Sequence, residues 1–411
     1  CQRPVPGPRT LSAVLPKPAP EEYDELLGRT ARKARSTWAD LSEERSAAAE
    51  LMASFTGLTT AAQSVWIAED PRLRTWSFVE SLLEHSRELG TEDPARGVQM
   101  SRFAATLAEQ LDPLRYGRQR VQDLRAYSWA KLGYALRVQT DFGEAGRAFA
   151  TAQRHLATGT GDPLVAATVL LMEAALYGSQ GRFEKAHQLL DRVAATAQRL
   201  GERHLLGKAL LFKALFEDDA ELSGKALPLL RKALRVIDPT REPRLVLVAW
   251  HNLTLSLTYQ GRYQQALEHL PYIRSLHEKH GSRIDHMRLR WVEARIDLGR
   301  LEEEKAERTL RRLRSEFIEA DMAFDAALVS LDLASLYARQ GRSEEMRQLA
   351  REMIPIFQSR EVHQHALAAI LVFQQAAEME KVTSRLLEEI VGYIRRARNN
   401  PNLKFRPHSG G

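Results

Sequence analysis

Three features of this 411-residue chain have residue types that could do chemistry: two close histidine pairs, a glycine-rich run, and a lone cysteine at position 1. The histidine pairs are His277 with His280 and His363 with His365. Zinc is gripped from a helix when two imidazoles stand four apart, as in His-Glu-x-x-His, because only then do both rings share a face. HEKH at His277 is one residue short of that spacing, and residues two apart point about 200° away from each other on a helix. Both pairs therefore read as solvated or capping histidines. The run ATGTGD, Ala157 to Asp162, has the glycines of a phosphate cradle. It lacks the Lys-Ser/Thr step that would touch phosphate and magnesium, and it follows a helix, so it reads as a loop. No nucleophile beside a base and no carboxylate pair in a cleft is legible. The expectation is a protein without catalytic, cofactor or metal-binding residues.

Cys1 is the only cysteine, so no internal disulfide is possible. Three readings stay open: a fragment end, the last ligand of an upstream zinc knuckle, or a lipidated residue tethered by the Pro4 to Pro20 stretch. The first two fit a cytoplasmic protein and the third a membrane-anchored envelope protein. No apolar run approaches the roughly 18 residues that span a bilayer. Basic and acidic residues number 59 and 53, and they are interleaved. That mixture argues for solubility and against nucleic acid. Nine basic residues lie between Arg288 and Arg314, but Glu304 with Arg308 and Glu307 with Arg311 stand four apart, as on a solvated face with ion pairs. The stretch Arg395, Arg396, Arg398, Lys404 and Arg406 has no acid after Glu389 and reads as a helix end with a loose tail.

Any binding residue must be positioned by repeated elements. Turns reading DFGEA, QGRFEKA, ELSGKA, QGRYQQA, LGRLEEEKA and QGRSEEM end at Ala145, Ala186, Ala226, Ala266, Ala306 and Met346, one every 40 or 41 residues. Apolar residues recur at helical spacing before each turn, as in Val329, Leu333, Leu336 and Tyr337, and after it, as in Ala266, Leu270 and Ile273. Each unit is thus two amphipathic helices. A small residue at the anchor lets the second helix approach the first closely. Gly143, Gly181, Gly261 and Gly341 fall in the turns, where positive φ is expected.

The unit YSWAKLGYALRVQTDFGEAGRAFATA resembles a tetratricopeptide repeat, with Trp129, Leu132 and Gly133 on its first helix and Ala145, Phe149 and Ala152 on its second. The resemblance implies an all-α, right-handed solenoid of antiparallel helix pairs. Its spacing exceeds the family's usual length of about 34 residues, so loops or helices must be longer. We expect a disordered Pro-rich segment at 1–22, an irregular helical region at 23–122 with a pair at Thr75 to Leu89 and Pro94 to Leu111, six units at 123–358, a capping pair at 359–402, and a tail at 403–411. The chain also resembles bacterial tetratricopeptide proteins in which an anti-sigma-type zinc-knuckle module precedes the repeats. The segments AEDPRLRTWSFVESLLEHS, EPRLVLVAWHNL and IPIFQSREVHQHALAAILVFQQA carry that likeness together with Cys1.

A solenoid of this kind binds polypeptides in the trough lined by its first helices, and the resemblance implies a scaffold or regulator with a protein or peptide partner. By register the trough candidates are Tyr134, Arg137, Leu171, Lys208, Leu211, Leu215, His251, Asn252, Leu255 and Leu331. Their mixture suits an amphipathic helix or an extended apolar segment. Packing of these leucines within the array is the competing reading. His251 and Asn252 need hydrogen-bond partners, supplied either by a ligand backbone or by a neighbouring helix.

Overall fold

The computed structural model describes residues 42–89, 93–217, 223–359, 364–379, 381–399 and 403–405. Cys1, the Pro4 to Pro20 stretch, His363 and the side chain of His365 lie outside the described residues. The expected fold class holds: every regular element among the described residues is helical. The chain forms two compact units, Cys1–Ser81 and Leu82–Gly411.

In the first unit, α1 (42–56) and α2 (Thr60–Glu69) precede a 3-10 turn at Pro71–Leu73 and the start of α3 (Trp76–Leu89). Phe55, Leu73 and Phe78 are fully buried, and the rings of Phe55 and Phe78 meet edge to face at 5.7 Å. Glu44 accepts from the backbone N–H of Ser77 at 2.9 Å, which ties α1 to the start of α3.

The second unit is the solenoid. Asp93 caps α4 (Pro94–Gln110) by accepting from the Arg96 N–H, with Pro94 in the first turn where no N–H is needed. A short α5 (Pro113–Tyr116) leads into the pairs. These are α6 (Arg118–Val138) with α7 (Phe142–Leu156), α8 (Pro163–Ser179) with α9 (Phe183–Leu200), and α10 (Arg203–Phe216) with α11 (Ser223–Val236). Then come α12 (Pro243–Tyr259) with α13 (Tyr263–His280), α14 (Arg283–Gly299) with α15 (Glu303–Glu319), and α16 (Ala323–Gln340) with α17 (Ser343–Ser359). Each anchor is the fourth residue of its second helix. Ala145, Ala186, Ala266 and Ala306 have no exposed surface, as close approach of the two axes requires.

The left-handed turn residue recurs at one place: Thr140, Gly181, Gly261, Leu301 and Gly341, with φ between 61° and 71°. Gly143 is not among them. It is the second residue of α7; Thr140 takes the left-handed position, and Asp141 after it caps the helix, accepting from the Glu144 N–H at 2.9 Å. The long repeat is accommodated in two ways. Where the second helix is short, 15 residues in α7 and 14 in α11, the loops 157–162 and 237–242 follow. Where it is longer, 18 residues in α9 and α13, only 201–202 and 281–282 separate it from the next pair.

The apolar core is a succession of clusters rather than one centre. Leu132, Phe149 and Leu176 belong to the first, Leu171, Leu190 and Ala209 to the next, Leu211, Leu253 and Ile273 to a third, and Phe317, Leu331 and Phe373 to the last. Each pair thus buries its apolar side against its neighbours, which is why such units are stable only in series. The closing helices α18 (Gln364–Glu378) and α19 (Ser384–Asn399) depart from the pattern, because α19 packs on α16 as well as on α18. Leu387, Ile390, Tyr393 and Ile394 of α19 complete the last cluster.

Candidate functional site

The first helices pack on one another, α6 on α8, α8 on α10, α10 on α12 and α12 on α14, whereas no two second helices pack comparably among the described residues. Elements that crowd together lie on the inside of a curve and elements that spread lie on the outside. On that rule the first helices would be the inner layer, and side chains that are half-buried on them make the candidate face.

On α6 the sequence repeats tyrosine and cation along one stripe. The Lys131 ammonium lies 5.3 Å from the Tyr127 ring centre, and the Arg137 guanidinium lies 4.5 Å from that of Tyr134. Arg137 also donates to Ser179 Oγ of α8 at 3.0 Å. No carboxylate stands within ion-pair distance of Lys131 among the described residues; burial lowers its pKa and raises that of Tyr127. Farther along, Lys208 of α10 donates to Glu242 at 2.6 Å. Burial pushes the Glu242 carboxyl up, but Lys208 and His204 outweigh it and the net shift is downward.

At the other end of the layer, Asp332 of α16 accepts from Trp291 Nε1 at 2.6 Å and from Arg295 Nε at 2.7 Å, both on α14. Arg295 is half-buried, and Asp332 and Tyr259 raise its pKa against the desolvation that lowers it. Its guanidinium also donates to the Tyr259 hydroxyl, which accepts a second hydrogen bond from Arg395 of α19 at 2.6 Å. The inner face thus runs from tyrosines and cations on α6, through apolar residues, to a two-arginine cluster closed by α19.

The residues expected from register divide into two sets. Tyr134, Arg137, Lys208, Leu215, His251, Asn252 and Leu255 are half-buried on the first helices. Leu171, Leu211 and Leu331 are 3%, 1% and 0% exposed and belong to the core clusters. Leu211 stands 40 residues after Leu171 and Leu331 stands 120 after Leu211, three repeats on, and Trp291, buried at 9%, shares their register. His251 at the same register is half-buried, but the three leucines pack between pairs, satisfy the packing reading and are not part of the face. One helical turn later, Leu215, Leu255 and Arg295 hold the equivalent place on the face. Asn252 donates to its own helix, at Val248 O, 2.8 Å away, and the His251 ring lies tilted 5.7 Å from that of His277.

Tyr127, Lys131, Tyr259 and Arg295 were not anticipated. Signals for three of them exist: Tyr127 and Lys131 share a helix face with Tyr134 at heptad-like spacing, and Arg295 lies 40 residues after Leu255. Nothing local to Tyr259 announces its partner on α19.

The features first suspected of chemistry resolve as follows. ATGTGD is a loop in which Thr160 donates to Asp123 and Asp162 caps α8 by accepting from the Leu164 N–H. Among the described residues no group of three or more His, Cys, Asp or Glu side chains is placed to hold a metal ion. Glu304 and Arg308 are 4.0 Å apart in solvent, while Glu307 pairs with Arg311 at 2.8 Å and also with Arg342 at 2.8 Å. A cleft of about 250 Å³ among α15, α16 and α17 has Leu333 and Leu349 in its wall, but its charged rim is paired internally, Arg314 with Glu352 and Glu345 with Arg342. No described helix is long and apolar enough to cross a membrane.

No family model and no curated protein matches the chain. Among solved structures, a Rap protein complexed with competence and sporulation factor is 13% identical, with a TM-score of 0.49 over 84% of this chain and 99% of that one. Aspartyl phosphate phosphatase F from Bacillus subtilis is 12% identical, with a TM-score of 0.38 over 78% of this chain and 92% of that one. At these values the likenesses carry no argument about this protein.

Proposed function

We propose that the inner face of the array binds a polypeptide partner and that the chain acts as a scaffold or regulator in the cytoplasm. The observation that carries this is Lys131: a half-buried cation on the inner face, with a tyrosine ring beside it and, among the described residues, no carboxylate within ion-pair distance. Glu242 and Glu84 act on this ammonium only from beyond ion-pair distance, so a partner that brings a close acceptor would gain from it. Tyrosine and arginine beside apolar side chains are also the residue types that dominate polypeptide recognition. Leu215 and Leu255 supply the apolar contact between Lys131 at one end and Arg295 at the other. A zinc module upstream, implied by the likeness to anti-sigma-type proteins, would be the element such binding reports to.

The test is capture of the partner from the native host by affinity purification, wild type against a Leu215→Asp/Leu255→Asp double variant. We expect the variant to lose capture with its helical circular dichroism unchanged. Leu211→Asp is the control for misfolding, because it places a carboxylate in the core and should lower stability by several kcal/mol (roughly 4 or more). Undiminished capture by the Leu215→Asp/Leu255→Asp protein would exclude the face.

A further inference from the structure

His277 is 1% exposed, and neither of its ring nitrogens meets a hydrogen-bond partner among the described residues. It belongs to α13, the second helix of the fourth pair. Its ring lies 5.7 Å, centre to centre, from that of His251 on α12 and 5.7 Å from that of His286 on α14. Three imidazoles thus form a row across three helices, with the middle one sealed from water.

The charges facing this row leave it no acceptor. Arg244 reaches it from α12, and Asp285, His286 and Arg288 face it from α14. On α13 itself Glu278 and His280 are exposed. The α10 and α11 helices, which also pack on α12, contribute no charge to His251. Asp285 is the one anion facing it among the described residues, and it is already engaged: it accepts from Arg244 at 2.8 Å and from the Ser282 N–H at 2.9 Å in the cap that starts α14. An imidazolium at His277 would sit between two histidines and near Arg244, with no free carboxylate beside it among the described residues.

We propose that the row His251, His277 and His286 makes the fourth pair the acid-sensitive segment of the array, proton uptake at His277 releasing α13 from α12 and α14. Burial, opposed by Asp285, lowers His277 to about 4, and burial with the neighbouring His277 and Arg288 lowers His251 to about 4. Because the unfolded chain takes up the proton near 6.5 and the folded one does not, the contribution is complete above pH 6.5 and falls away between 6.5 and about 4. Each such histidine raises the unfolding constant roughly tenfold per pH unit within that window. The idea is independent of the proposed partner, since it concerns the free chain.

The experiment is histidine-ring NMR on ¹³C-labelled full-length protein, combined with denaturant unfolding between pH 7.5 and 5. Missing resonances in His277→Gln assign the ring, and the expected result is no titration of His277 above pH 5. The pH slope of unfolding should flatten by about one proton in His277→Gln and in His277→Leu, the two variants guarding against failure of either to fold. Amide exchange, corrected for pH, should accelerate at pH 5 in Tyr263–His280 before it does in Phe183–Leu200. A His277 midpoint at 6.5 or above, or an unflattened slope in the variants, would overturn the proposal.

Discussion

Arg395 of α19 donates to the hydroxyl of Tyr259, the last residue of α12, across 136 positions of sequence, and its guanidinium lies 4.6 Å from the centre of the same ring. Arg295 approaches that ring at 5.2 Å and shares the hydroxyl. One phenol therefore joins the fourth pair, the fifth pair and the closing helix.

Tyr259→Phe keeps the ring for both guanidiniums and removes only the shared acceptor. We expect a stability loss of about 1 kcal/mol, the usual net worth of a hydrogen bond, and faster amide exchange in Ser384–Asn399. Unchanged exchange in α19 would mean that its seat on α16 alone holds it.

Glycines in this array differ in what surrounds them. A Cβ at Gly133 would stand 2.8 Å from the ring of Phe149, itself buried at 2%, whereas a Cβ at Gly146 would meet nothing within 4 Å. Gly133→Ala should therefore destabilise by about 1–2 kcal/mol, overpacking exceeding the gain in helix propensity. Gly146→Ala should stabilise by about 0.5–1 kcal/mol. Thermal denaturation of both variants gives the two signs; a shared sign would contradict the packing between α6 and α7.

Leu301 holds a turn position with φ 65° that Gly181, Gly261 and Gly341 hold elsewhere, and its side chain is 79% exposed. Nothing is lost by removing that side chain, and left-handed backbone costs a branched residue about 1–2 kcal/mol. Allowing for the greater freedom of glycine in the unfolded chain, Leu301→Gly should gain up to about 1 kcal/mol. Gly261→Ala should lose a similar amount. Equilibrium unfolding in urea would measure each.

Glu307 links the fifth and sixth pairs, accepting from Arg342 at 2.8 Å, from the Tyr337 hydroxyl at 3.1 Å and from Arg311. Arg342 lowers its carboxyl to about 2, partial burial opposing and Arg311 and Tyr337 assisting. A lowered acid stabilises the fold above its unfolded pKa of 4.5 and ceases to do so as pH falls toward 2. Wild type should exceed Glu307→Gln in stability at neutral pH, and the two should converge below pH 4.5. A constant difference down to pH 2.5 would show that the carboxylate charge is not the source.

Periodicity made the architecture legible. Ala145, Ala186, Ala266 and Ala306 marked the fourth residue of each second helix because a close helix crossing tolerates only a small side chain there, a constraint that each repeat states again. The inner face was legible only in part. Leu211 and Leu215 are one turn apart and about 40° apart around the helix, and that small angle separates the core from the face. Register assigns the face of a helix; the neighbouring pairs decide where on it burial ends.

From the sequence alone came the helix pairs and their forty-residue step, because helical periodicity and small anchors are local properties of the chain. The tertiary structure decided that α19 lies on α16, that Tyr259 meets Arg395, and that His277 is sealed between two other histidines without a hydrogen-bond partner among the described residues. Those facts depend on how helices far apart in sequence come to rest against one another, and the period of a repeat carries no term for such meetings.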